Sequence, residues 1–148
     1  MSVRRIAKKL LSLAVVITVL LYGCFSKGKE PKTERLFYLA IKDRDTASLS
    51  LEITGTLFKG KYEINYHGSH KDSGDVKGRI KGDTLLGDYI FQHYGMEKWH
   101  RAPIALLKWE EKLVMGVGET ETFLSKSYFR KGTVIDYDHV KFIFQRTK

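Results

Sequence analysis

The chain has little of several things. It holds one cysteine, Cys24, among 148 residues, so it can close no disulfide of its own. It has two prolines, Pro31 and Pro103, and with 43% hydrophobic and 29% charged residues it is globular rather than disordered. The one marked apolar run, Leu10–Leu21, is twelve residues broken by Ser12 and Thr18. As a helix it would measure about 18 Å, short of the ~30 Å hydrocarbon core of a bilayer. After Cys24 no stretch of ten residues carries a convincing helical period, which argues against βαβ units. The chain has no phosphate loop, no dinucleotide fingerprint and no Gly-x-Ser-x-Gly elbow, so those chemistries have nothing to stand on. Nor is there a basic run with interleaved aromatics, so nucleic acid is not an expected partner.

Net charge is +9, partly from one place. Residues 1–23 carry Arg4, Arg5, Lys8, Lys9 and no acid; without them 22 basic residues face 17 acidic ones. What remains is a modest surplus spread along the chain, as on an ordinary mixed-charge surface.

The basic segment Met1–Lys9, the short apolar run and then Leu21-Tyr22-Gly23-Cys24 form a recognisable order. It resembles the signal and lipobox of bacterial lipoproteins. The resemblance implies cleavage after Gly23, a lipid thioether on Cys24 and an acylated new amino group. On that resemblance, the cysteine sits where apolar gives way to polar because its thiol would become the attachment point. Two readings stand beside this one: a plain secretory signal with a chance cysteine, and an uncleaved membrane anchor. Tyr22 departs from the small or β-branched residue usual at that place. Ala7-Lys8 replace the apolar pair that a twin-arginine signal would show after Arg4-Arg5, which favours the general secretory route. Residues 1–23 are thus expected as a signal peptide and 24–35 as a lipidated, Gly- and Pro-containing tether. The expected location is a bacterial cell envelope, on the periplasmic side or the outer membrane.

From Leu36 onward apolar and polar residues alternate. "LSLEI" (Leu49–Ile53), "YEINY" (Tyr62–Tyr66) and "VKGRI" (Val76–Ile80) do so cleanly, and Leu85, Gly87, Tyr89 and Phe91 form one face. "LVMGV" (Leu113–Val117) and "VKFIF" (Val140–Phe144) follow. Period two means strands with one face to a core and one to water. Turns are expected at Lys42–Thr46, Thr54–Thr56 or Phe58–Lys61, His67–Gly74, Lys81–Thr84, Tyr94–Lys98, Trp109–Lys112 and Lys131–His139. Gly82-Asp83 and Gly60-Lys61 look like tight hairpin loops. Thr120–Lys131 fits a strand or a short helix. The fold class is all-β, an antiparallel meander of eight or nine strands over residues 36–148. Closure into a lipocalin-like up-and-down barrel hides both edges and the apolar face; a β-sandwich is the alternative. A transmembrane barrel is disfavoured because the polar faces carry too much charge, as in "KGRIKGD".

The segments "IKDRDTASLSLEI" (Ile41–Ile53) and "GDVKGRIKGDTLLGDYIF" (Gly74–Phe91), with Gly116-Val117-Gly118, resemble a group of small lipoproteins of Bacteroidota-type bacteria. That resemblance implies an envelope location and an all-β fold, and it carries over no catalytic residue.

Candidate chemistry is sparse. His67-x-x-His70 with Asp72 lies in an expected loop, and His93 and His100 flank a turn across which they could meet. Zinc wants three or four convergent ligands, and no metal or cofactor is expected. The pairs Asp43/Asp45, Asp83/Asp88 and Asp136/Asp138 fall at turns, where aspartate bends the chain. Tyr62, Tyr66 and Tyr89 on an inward face could line a cavity, and Trp99 at a barrel mouth could stack on a ligand. The function expected is a non-catalytic, membrane-anchored envelope protein binding a small apolar ligand or an envelope partner. Alternatives are a solid-core assembly module and a hydrolase using the histidine pairs.

Overall fold

The computed structural model describes residues 32–124 and 126–147. The expected signal peptide, the cleavage site at Gly23 and the lipidation site at Cys24 lie outside them.

The described chain is all-β. Its strands are β1 (Thr33–Lys42), β2 (Asp45–Thr54), β3 (Leu57–Tyr66), β4 (His70–Lys81), β5 (Thr84–His93), β6 (Trp99–Trp109), β7 (Lys112–Met115), β8 (Thr120–Phe123), β9 (Lys126–Phe129) and β10 (Ile143–Thr147). Eight of them close a barrel in the order β1-β10-β7-β6-β5-β4-β3-β2, every neighbouring pair antiparallel. The meander is interrupted once, between β7 and β10, where β8 and β9 form a separate two-stranded ribbon. The segment Thr120–Lys131 therefore holds two short strands and no helix among its described residues, and β1 begins inside the segment expected as tether.

Local chemistry explains the connections. Four hairpins turn in two residues: Asp43-Arg44, Gly55-Thr56, Gly82-Asp83 and Glu110-Glu111. Their first residues sit at φ 56°, 59°, 57° and 56°. Positive φ in a two-residue loop matches the right-handed twist of the flanking strands. Gly60-Lys61, expected as a tight turn, lies instead in the middle of β3. Its glycine serves close approach rather than reversal: a Cβ there would fall 1.7 Å from the Ser50 carbonyl oxygen.

The alternation read from the sequence puts its apolar members inside. Leu49, Leu51, Phe58, Tyr62, Val76, Leu85, Leu106, Leu113, Phe142 and Phe144 are all buried along the axis. The last barrel strand starts later than "VKFIF" suggests, at Ile143, yet Phe142 and Phe144 keep their inward phase.

Ala105 and Val114 face away from the barrel by register but are 0% and 2% exposed. The excursion between β7 and β10 covers them. It is pinned by the Gly116 amide donating to Ala105, by the Val117–Asp136 bridge and by Arg101 donating to Tyr128. Ile135, Tyr137 and Phe129 pack against Gly116 and Gly118.

Candidate functional site

The barrel has two ends. One carries Thr33 and the turns at 55–56, 82–83 and 110–111; the other carries the turns at 43–44, 67–69 and 94–98. The buried charged side chain of the described core, Asp72, lies toward the second end.

An aromatic column leads to it. Phe142 and Phe144 lie 6.0 Å apart, and the Phe144 ring meets Tyr62 edge-on at 5.9 Å. Tyr62 is 4.6 Å from Tyr89, which stacks on Phe91 at 4.5 Å. Phe91 in turn contacts His93 and His100, each at 5.4 Å. The two imidazole rings are 4.7 Å apart. Inward phase on β5 and β6 produces this sequence of rings, because Phe91 pairs with His100 and Tyr89 with Ala102.

Asp72 closes the column. It is 4% exposed and the only charged side chain in the described core. The β4–β5 register sets it opposite His93, whose Nδ1 donates to Asp72 Oδ1, while the Tyr66 hydroxyl donates to Oδ2 at 3.0 Å. A buried carboxylate is tolerable only when its oxygens are satisfied, and here both are. Tyr66 stacks on His70 at 4.5 Å, and Lys141 Nζ sits over its ring at 4.5 Å while pairing with Asp45 at 3.1 Å.

Chemically this is an oriented imidazole. With Nδ1 committed to Asp72, His93 has Nε2 as its second nitrogen, and His100 Nε2 is buried without a hydrogen-bond partner among the described residues. Two further groups would be needed for either familiar use. Among the described residues no three His, Cys, Asp or Glu side chains converge as a metal set would. No serine or threonine hydroxyl among them bonds to His93 or His100.

The four expected ligand residues part company. Tyr62 and Tyr89 point inward, but they fill the axis, at 2% and 5% exposure. Their hydroxyls are spent internally, Tyr62 on Met115 Sδ and Tyr89 on the Tyr62 carbonyl. Tyr66 joins the Asp72 cluster. Trp99 faces outward at 57% exposure, since its register partner Gln92 is an outer residue. His67 occupies the turn at φ 52° and does not join His93 or His100. The Asp72–His93 contact could not be read from spacing, because it depends on a register across twenty-one residues. The one sequence signal for it was that the inward run Val76, Gly74 continues back to Asp72.

Burial pushes the Tyr62 and Tyr89 phenols far up, and pushes Tyr66 up to about 12, with the hydrogen bond to Asp72 as the next cause. Each favours the neutral form in the fold. Their stabilisation is therefore complete below pH 10 and is lost as pH climbs through the folded values. Spectrophotometric tyrosine titration should show these three un-ionised in the folded barrel while exposed phenols titrate. Stability measured in denaturant should decline from pH 10 toward 12 and beyond. A flat profile over that window would contradict the burial.

Compared with known proteins, the chain matches no family model, no curated protein and no solved structure.

Proposed function

We propose that this chain is a lipid-anchored, non-catalytic protein of a bacterial cell envelope, and that its barrel is a rigid platform whose outer wall does the binding. The filled axis carries the second half of this reading. A lipocalin-like carrier needs a cavity, whereas here Phe144, Tyr62, Tyr89 and Phe91 occupy the column a ligand would take. The inner recess at the Thr33 end holds about 230 Å³ between Tyr38, Leu51, Leu85 and the Arg146–Glu111 pair, below the usual ~300–1,000 Å³ of small-molecule sites. The anchor half rests on Leu21-Tyr22-Gly23-Cys24 and on the basic and apolar segments before it. Two or three acyl chains at about 0.8 kcal/mol per buried CH₂ would hold the barrel firmly at a bilayer. Tethering then raises the local concentration of the outer wall at the membrane surface.

Labelled palmitate should be incorporated by the wild-type chain in its host and not by Cys24→Ser. Intact mass should match a chain beginning at acylated Cys24. Equal labelling of both, or a chain still starting at Met1, would remove the anchor.

A further inference from the structure

The outer wall of β2–β5 near the Thr33 end holds a groove of about 710 Å³. Its floor is apolar: Leu57, Leu86, the edge of Phe58, and the backbone of Gly78 and Gly87, which face each other across β4 and β5. Cations rise from it. Lys77, Arg79 and Lys81 are alternate residues of β4 and stand on one face about 7 Å apart.

The pairing around these cations is unusual. Lys77 lies directly opposite Lys59 across β3–β4, an arrangement that costs stability in a sheet. Its other neighbour, Asp88, is engaged by Arg101 at 2.8 and 2.9 Å. Lys59 shares Glu52 with Arg35. Arg79 sits between Leu57 and Leu86, with no acid beside it in register. Among the described residues, Lys77, Arg79 and Lys81 have no carboxylate within ion-pair distance. Positive charge left without partners, around an apolar floor, matches a ligand with an anionic head and a hydrocarbon body. A polyanion alone would cover the cations and leave Leu57 and Leu86 wet.

The groove's position indicates where such a ligand comes from. Thr54 lines it, and Thr33 bonds to Thr54 at 2.8 Å, so the chain enters the barrel beside the groove. Eight residues separate Cys24 from Thr33, and the nine Cα–Cα steps between the two span roughly 30 Å at most. We infer that this groove binds the headgroup and proximal acyl chain of an anionic membrane phospholipid. The choice of a membrane lipid over a soluble amphiphile rests on the anchored reading above; the anionic and apolar character of the ligand does not.

The test uses the full chain carrying Cys24→Ser, in detergent micelles doped with phosphatidylglycerol, phosphatidylcholine or oleate, and counts lipid retained by native mass spectrometry. One phosphatidylglycerol should be retained and phosphatidylcholine should not. Lys77→Glu with Arg79→Glu should lower retention by roughly thirtyfold or more. The charge-matched control, Lys98→Glu with Lys131→Glu at two exposed positions away from the groove, should leave it unchanged. Lys77→Gln alone should melt no lower than wild type, because it removes the like-charge pair with Lys59 and sets no second acid opposite Asp88, which Arg101 already holds; this separates a binding role from a structural one. Equal retention of phosphatidylcholine, undiminished retention by the double variant, or preference for oleate would each overturn the assignment. Since this chain cannot be acylated at position 24, its lipid binding stands or falls separately from the palmitate result.

Discussion

Gly87→Ala should cost the barrel about 3 kcal/mol or more, a large fraction of a small domain's ~5–15 kcal/mol. The reason is space rather than backbone freedom. A Cβ at position 87 would lie 2.1 Å from the Lys77 carbonyl oxygen and 2.8 Å from the Gly78 Cα. Both obstacles are backbone of the neighbouring strand, so no side chain can swing aside. Relief requires β4 and β5 to separate, which breaks the ladder that closes the barrel. Gly82→Ala is the matched control. That glycine sits at φ 57° with nothing within 4 Å of the added atom, so only left-handed strain of about 1–2 kcal/mol applies. Urea unfolding of the two variants should separate them clearly. Equal midpoints would mean that the Gly78–Gly87 crossing leaves room for a side chain after all.

Phe144→Ala should destabilise by about 3–5 kcal/mol. Phe144 is 0% exposed and touches both Tyr62 and Phe142 in the axial column. Truncation leaves a void that strands on all sides cannot close without breaking ladder bonds. The same substitution in a carrier would merely enlarge an existing cavity and cost little. The measurement therefore also weighs the filled barrel against a ligand-bearing one. Phe37→Ala, at a side chain 55% exposed on β1, should change stability by only about half a kcal/mol. A Phe144→Ala loss as small as that of Phe37→Ala would restore the carrier reading.

Most of the fold was legible because the information is local. Leu49, Leu51, Tyr62, Ile64, Val76, Leu85 and Tyr89 are inward in the phase that their alternation predicts. Gly82-Asp83 turns the chain as its residue types suggest. Gly60-Lys61 misleads because glycine serves two purposes, and a sequence does not say which: reversal in one case, a place for a neighbouring strand's carbonyl in the other. The phase of Trp99 was not readable either. The connection at 94–98 is long enough for β6 to resume on either phase, and its residues do not alternate clearly; only the Phe91–His100 pairing decides that Trp99 points out. The ribbon of β8 and β9 was ambiguous because both strands are short, β8 exposed throughout and β9 only partly covered.

The candidate sites depended still more on tertiary structure. His93 and His100 were recognisable as a pair across a hairpin, but Asp72 was read with His67 and His70, its neighbours along the chain. The β4–β5 register gives it instead to His93. Likewise "VKGRIK" displays its alternating cations openly, while nothing in it says that Lys59 will stand opposite Lys77 or that Arg101 will take Asp88.

By itself the sequence determined that the domain is built of strands, which face of most of them is apolar, and where most chain reversals fall. Period two and turn chemistry act over a few residues, so they need no knowledge of the rest. Barrel closure, the filled axis, the buried aspartate with its histidine, and the cations left without partners over an apolar groove were decided only in three dimensions. Each is a relation between strands, fixed by hairpin registers accumulated around the barrel and by whether side chains from all eight strands together fill its interior.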